Sequence, residues 1–248
     1  MKPDVQRKYR EENLKETIKA VRESVNEDDI INHATNNIAE LDKVANILVK
    51  RCREWYALYC PEAEYEFADH AMFIDLILKM DKAQLLKELK LKKEESMGAD
   101  LKEPDLKQIM LLAEEIKQMH ILREKHLAYL DTVTKNYCPN MQELCGTTIA
   151  AKLIEKVGSL KRLALLPSST IQLLGAEKAL FRHLTRKAKS PKHGLIVNHP
   201  IVQKVRKEDK GKAARALADK ISLAARLDYF KGEFKADKMK KELEERFG

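Results

Sequence analysis

Glycine and proline are scarce in this 248-residue chain, numbering 8 and 7. Turn-rich β architectures draw on both at short intervals, so a sandwich or barrel is disfavoured and long uninterrupted helices are favoured. No apolar run reaches the about 18 residues that a membrane helix needs, and the opening stretch MKPDVQRKYREEN is charged. The sequence therefore predicts a soluble, intracellular protein with no membrane partner. Four cysteines, Cys52, Cys60, Cys138 and Cys145, form no Cys-x2-Cys pair and have no suitably spaced His, so they read as reduced structural thiols. No metal or cofactor site is expected.

Catalytic motifs are missing as well. The only Gly-Lys pair, Gly211-Lys212, has Arg206 where a phosphate-binding loop needs its first glycine and Ala213 where it needs Ser or Thr. His-Glu-x-x-His does not occur. The chain reads as a non-enzyme.

What is abundant is charge, unevenly distributed. Residues 147–248 carry 24 Lys and Arg against 11 Asp and Glu, a balance of +13, while the preceding 146 residues balance at −5. Such asymmetry points to a polyanion-binding half joined to something else.

In the acidic half, apolar or small residues recur at Ile31, Ala34, Ile38, Leu41, Ala45, Leu48, Cys52, Trp55 and Tyr59. Alternating steps of three and four make this the seam of a coiled coil, about 30 residues or about 45 Å long, capped by Asp28 and Asp29 and ended by Pro61. A second long helix begins near Pro104 and Asp105, carries Leu106, Ile109, Ala113, Ile116, Leu127 and Leu130, and stops before Cys138-Pro139. It is expected to return antiparallel to the first, with AMFIDLILKM and the Lys/Glu-rich segment around Gly98 forming the tip. His120 and Arg123 interrupt the second stripe, either as polar seam residues that set register or, the favoured reading, as residues at the edge of a broad stripe. After Pro139, shorter helices punctuated by Gly and Pro form a compact domain. The predicted fold is all-α, a long antiparallel coiled coil followed by a compact helical domain, with domains at 1–138 and 139–248.

The compact domain holds the strongest functional signal. From Lys178 to Arg215 there are 12 basic and 2 acidic residues. Lys178, Arg182 and Arg186 follow Gly175, Ala176 and Glu177 at four-residue steps and lie within about 80° on a helix, with Leu180, Phe181 and Leu184 available to anchor the other side. Gly175 permits close approach of the backbone, and the first-turn amides behind it suit a phosphate. Lys187, Lys189, Lys192 and His193 follow on a loop, then His199, and then Lys212 and Arg215 on one face of a further helix. Arg226 is paired in this reading with Asp219. This much unpaired charge calls for an anionic partner. Few exposed-looking aromatics argue against a membrane surface and against a stacking platform for a long single strand, and a folded RNA gripped through its phosphates fits best. The alternative is a coiled-coil protein-interaction module that makes no direct RNA contact.

The words Gly175-Ala-Glu-Lys178, Ala179-Leu-Phe-Arg182, PKHGLIVNHPIVQ (191–203) and KGKAARALADKISLAARLDYF (210–230) resemble those of the Nop domain family, core scaffold proteins of box C/D ribonucleoproteins together with a spliceosomal relative. REWYALYCPE (53–62) and CPNM (138–141) are similar to that family's coiled coil and Nop-domain entry. The resemblance implies recognition of a kink-turn RNA already bound by a small ribosomal-type kink-turn protein. It places Gly175 to Lys178 and Arg182 toward the RNA, the loop from Lys187 to His193 beside it, and His199 where the spliceosomal relative stacks a His on a flipped-out base. It further implies a homodimer or a paralogue pair through the coiled coil. Localisation would be cytoplasmic if the chain is archaeal and nuclear or nucleolar if eukaryotic. Family members of the methylation complex carry a further N-terminal domain that binds fibrillarin, whereas this chain starts almost directly with the coiled coil, which puts fibrillarin recruitment in doubt.

Overall fold

The computed structural model describes residues 3–247, and among these every regular element is helical. The order is α1 (Pro3–Ser24), α2 (Glu27–Tyr56), α3 (Pro61–Glu66), α4 (His70–Lys79), α5 (Lys82–Glu88), α6 (Glu103–Tyr137), α7 (Pro139–Cys145), α8 (Thr147–Val157), α9 (Leu160–Leu165), α10 (Ser168–Leu173), α11 (Glu177–Arg186), α12 (Pro200–Lys204), α13 (Lys210–Tyr229) and α14 (Ala236–Phe247). No described helix is long and apolar enough to cross a membrane. Two compact units are present: Asn36–Tyr129, and the residues up to Thr35 together with those from Leu130 onward.

Residues 36–129 form an antiparallel pair of long helices closed by three short ones. Asn37 on α2 meets His126 on α6 at 2.8 Å, and the Arg123 guanidinium donates to Asp42 at 2.7 Å. The number rises along one helix as it falls along the other, which defines the antiparallel sense. Arg123 thus sits at the partly exposed edge of the stripe, where it ties α6 to Asp42 of α2 and also meets Glu124. Below this polar layer lies an apolar cluster of Val49, Cys52, Tyr56, Phe73, Ile74, Ile77, Leu85, Ile109, Ala113 and Ile116. Tyr56 and Phe73 meet edge to face with centroids 5.7 Å apart.

The seam departs from its expected heptads toward its end. Ile31, Ala34, Ile38, Ala45 and Cys52 are buried, but Val49, Tyr56 and Cys60 replace Leu48, Trp55 and Tyr59, and Trp55 is exposed. A straight helix of 3.6 residues per turn drifts about 20° per heptad from a 3.5 repeat, so over two heptads the buried face turns by about 40° toward the next position along the chain. The cap also differs. Asn26 Oδ1 accepts from the Asp28 amide and Asp29 Oδ2 accepts from the Asn26 amide, a reciprocal capping box around Asn26. Asp28 is buried and instead accepts from the Leu160 amide at 2.9 Å, and burial raises its carboxyl pKa.

In the other unit, α13 is the axis. Its buried face is Ala213, Ala214, Leu217, Ala218, Ile221, Ala224 and Ala225, and so many alanines let α7, α9 and α10 pack close against it. Near its C-terminal end, the buried Asp228 carboxylate accepts from the Asn140 amide and side chain and from the Met141 amide, at 2.8 to 3.0 Å. Those donors form the first turn of α7, where a carboxylate also complements the helix dipole. All four cysteines are free and buried, with burial pushing the Cys52 thiol up to about 11 and Cys145 up to about 12.

Candidate nucleic-acid interface

The start of α11 is set by a tight backbone zipper. Gly194 N–H donates to the Gln172 carbonyl at 2.8 Å, Leu195 N–H to the Leu174 carbonyl at 2.7 Å, and Gln172 Nε2 to the Lys192 carbonyl at 2.6 Å. The chain from Lys192 to Leu195 is thereby pinned beside residues 172–175. Gly175 has φ +87°, in the left-handed region, and Leu195 covers it so closely that no side chain fits there. Its exposed amide donates at 2.7 Å to Glu177, whose carboxyl is held below its usual range by that bond and by the nearby Lys156 charge. Glu177 therefore shapes the turn as the first residue of α11, and Ala176 is the cap position just before it.

No side chain of α11 is buried. Lys178, Arg182 and Arg186 are exposed along one stripe, as expected. The other side overturns an expectation. Phe181 and Leu184 do not anchor the helix; they are 67% and 72% exposed, with only Leu180 partly covered. The helix is instead held at its ends, by the zipper at its start and by Lys187 in the left-handed conformation at its stop, where His183 Nδ1 lies 2.5 Å from the Ala188 carbonyl.

Lys187 and Lys189 are exposed, and His193 is half-buried. Lys192 exposes its ammonium while its stem lies against Gly211, where an added Cβ would sit 3.4 Å from Lys192 Cδ. That contact joins the loop to the start of α13, whose exposed face carries Lys212 and Arg215. Among the described residues, Asp209 is the one carboxylate within ion-pair distance of these cations, 2.9 Å from Lys212. Lys178, Arg182, Arg186, Lys187, Lys189, Lys192 and Arg215 point to solvent without an acidic partner. Arg226 donates to the Ala164 carbonyl at 3.1 Å, so its structural role does not depend on Asp219.

His199 is a correction. It is 7% exposed, its Nδ1 accepts from the Ile201 amide at 3.2 Å as the cap of α12, and its Nε2 donates to the Leu144 carbonyl at 3.1 Å. Burial holds its pKa below the usual histidine value. A ring engaged at both nitrogens and packed inside the fold has no free face for a base. Sequence reasoning missed Lys156, an exposed cation that α8 brings near Glu177 while it lies 3.9 Å from Glu155. Nothing local marks it, because its neighbours on the interface are about 20 residues away in sequence.

A family model described as Nop, snoRNA binding domain, fibrillarin, matches residues 37–248. An uncharacterised NOP5 family protein of Methanocaldococcus jannaschii is 40% identical over 233 residues, covering 88% of this chain and 56% of that protein. Nucleolar protein 58 of Candida albicans is 37% identical over 217 residues, covering 82% and 42%. The chain thus spans about half the length of these relatives. Among solved structures, one chain of a fibrillarin/Nop5p complex covers all of this chain and 79% of its own length, with a TM-score of 0.57 at 25% identity.

Proposed function

This chain belongs to the Nop family, and from that premise we propose that it is a noncatalytic scaffold that binds a kink-turn RNA already held by a small ribosomal-type kink-turn protein. The observation that carries the reading is the composition of α11: an unpaired cationic stripe of Lys178, Arg182 and Arg186 beside bare Phe181 and Leu184. Phosphates satisfy the first, and only an apolar partner surface satisfies the second. A bare duplex offers the first and not the second. Lys187, Lys189, Lys192, Lys212 and Arg215 continue the phosphate-facing surface, while Gly175, Ala176 and Glu177 form the turn that brings the backbone close to it.

The decisive experiment is an electrophoretic binding assay with a kink-turn RNA, with and without the small kink-turn protein. Binding is expected to be weak alone, to strengthen on adding the protein, and to weaken with salt as the gain from counterion release shrinks. Unchanged affinity on adding the protein overturns the reading, and full partner binding after nuclease treatment favours a coiled-coil interaction module instead.

Two protein partners belong to the same proposal. Exposed Val44, Ile47, Trp55 and Leu58 fall within about 80° of one another around α2 and its final turn, away from the buried seam. That second stripe supports pairing with another copy or a paralogue. Fibrillarin, named with the structural neighbour, is the methyltransferase to test for binding to this chain.

A further inference from the structure

A groove of about 690 Å³ opens in the unit of residues 36–129, between α3 and the chain that follows α5. Tyr65, Leu89, Leu91 and Met97 supply its apolar lining. Tyr65 and Met97 are 87% and 86% exposed, although the neighbouring apolar cluster is built from side chains of the same kind. Aromatic and methionine side chains left bare around a concavity are the composition of a recognition surface.

The walls are fixed rather than loose. Glu62 accepts from the Met97 amide at 2.7 Å and from Ser96 Oγ at 3.1 Å, which ties the segment carrying Met97 to α3. Gly98 passes so close to Tyr59 that an added Cβ would lie 2.0 Å from its carbonyl oxygen, and Ala99 N–H donates to the Leu58 carbonyl at 2.9 Å. Lys82, buried nearby, donates to the Gly98 carbonyl at 2.9 Å. A groove built this way loses little freedom when it is filled.

Its rim decides the occupant. Four carboxylates, Glu62, Glu64, Glu66 and Glu88, line it with a single ammonium, Lys90. Glu64 is already engaged by Arg53, and Glu62 by the Met97 amide and the Ser96 hydroxyl, which leaves the exposed Glu66 and Glu88. RNA phosphates are repelled here, in contrast to the cationic surface described above. The geometry points to a docking site for a basic peptide segment of a partner protein, one that seats a bulky apolar side chain between Tyr65 and Met97 while its Lys and Arg residues meet Glu66 and Glu88. This inference stands independently of the RNA-binding reading.

The test uses the full chain and a fluorescein-labelled peptide of alternating Lys and Arg around a central Leu-Trp pair, read by anisotropy. Glu66→Lys with Glu88→Lys should weaken binding about tenfold or more through charge repulsion. Tyr65→Ser with Met97→Ser should do so by about tenfold through loss of the apolar anchor. All four side chains sit on the surface, so thermal melting followed by circular dichroism should not change. Equal affinity for the variants, or equal affinity for a peptide with Ser-Ser in place of Leu-Trp, overturns the proposal. So does displacement of the peptide by kink-turn RNA. If sedimentation shows self-association that Tyr65→Ser with Met97→Ser abolishes, the occupant is a second copy and the proposal fails in that way.

Discussion

Gly175 and Leu195 are pressed together so tightly that a Cβ on the glycine would fall 2.5 Å from Leu195 Cγ. This close approach seats the turn from which α11 projects, and it sits on a backbone with φ +87°. Gly175→Ala meets both penalties and should cost about 1 to 3 kcal/mol, measured by urea unfolding. Adding Leu195→Ala should relieve the clash but not the backbone strain, so the double variant should not regain full stability. RNA affinity should fall with the turn, because the stripe behind it loses its orientation.

The two sides of α11 should separate in binding assays. Lys178→Glu with Arg182→Glu should weaken RNA binding under all conditions, and the salt slope should fall by about 1 for each phosphate that is no longer neutralised. Phe181→Ser with Leu184→Ser should leave binding to naked RNA unchanged while removing the gain produced by the small kink-turn protein. None of these side chains is buried, so the melting temperature should stay constant.

His199 links stability to pH. Its folded pKa lies below the unfolded value of about 6.5, because burial disfavours the imidazolium and the Lys240 charge adds to the effect. The unfolded chain therefore takes up the proton first as pH falls. The stabilising contribution is complete above about pH 6.5 and is lost as pH falls toward the depressed folded pKa. Melting temperatures in that window should decline for the native sequence, and His199→Leu should flatten that part of the profile. The same variant should lower stability by about 1 to 3 kcal/mol at neutral pH, since the Leu144 carbonyl and the Ile201 amide both lose a buried partner.

Both long helices are legible in the sequence because scarce Gly and Pro, acidic first turns and Pro61 and Pro139 mark their limits locally. The antiparallel pairing and the exposed cationic stripe follow from periodicity. His199 and Phe181 depart from expectation for a shared reason. An amphipathic pattern says which residues share a face, and only tertiary packing says whether that face is covered. His199 is drawn inside by a carbonyl 55 residues earlier, and Phe181 is left outside because α11 is held by its ends. The unit division at Leu130 lies inside α6, where no break in helical pattern could mark it.

Arg53 explains why REWYALYCPE is a recognisable word rather than an arbitrary helix end. It is a charged residue only 7% exposed, and its burial is tolerable because all three guanidinium nitrogens donate and the group packs over an aromatic ring. Nε donates to Glu64 Oε1 at 3.1 Å, Nη1 to the Phe67 carbonyl at 2.7 Å and Nη2 to the Glu64 carbonyl, while the plane lies 4.6 Å from the centroid of Phe73. The planar fork thus closes the turn after α3 onto α2 and holds one wall of the acidic groove. Arg53→Ala should destabilise residues 36–129 by about 1 to 3 kcal/mol, because the carbonyls of Glu64 and Phe67 lose their donor. Arg53→Lys keeps the charge but has neither the fork nor the flat face, so it should recover only part of that loss. Urea unfolding followed by the fluorescence of the single tryptophan, Trp55, reports on this unit directly. A Lys variant as stable as the native chain would show that charge alone, without the three-way fork, secures the turn.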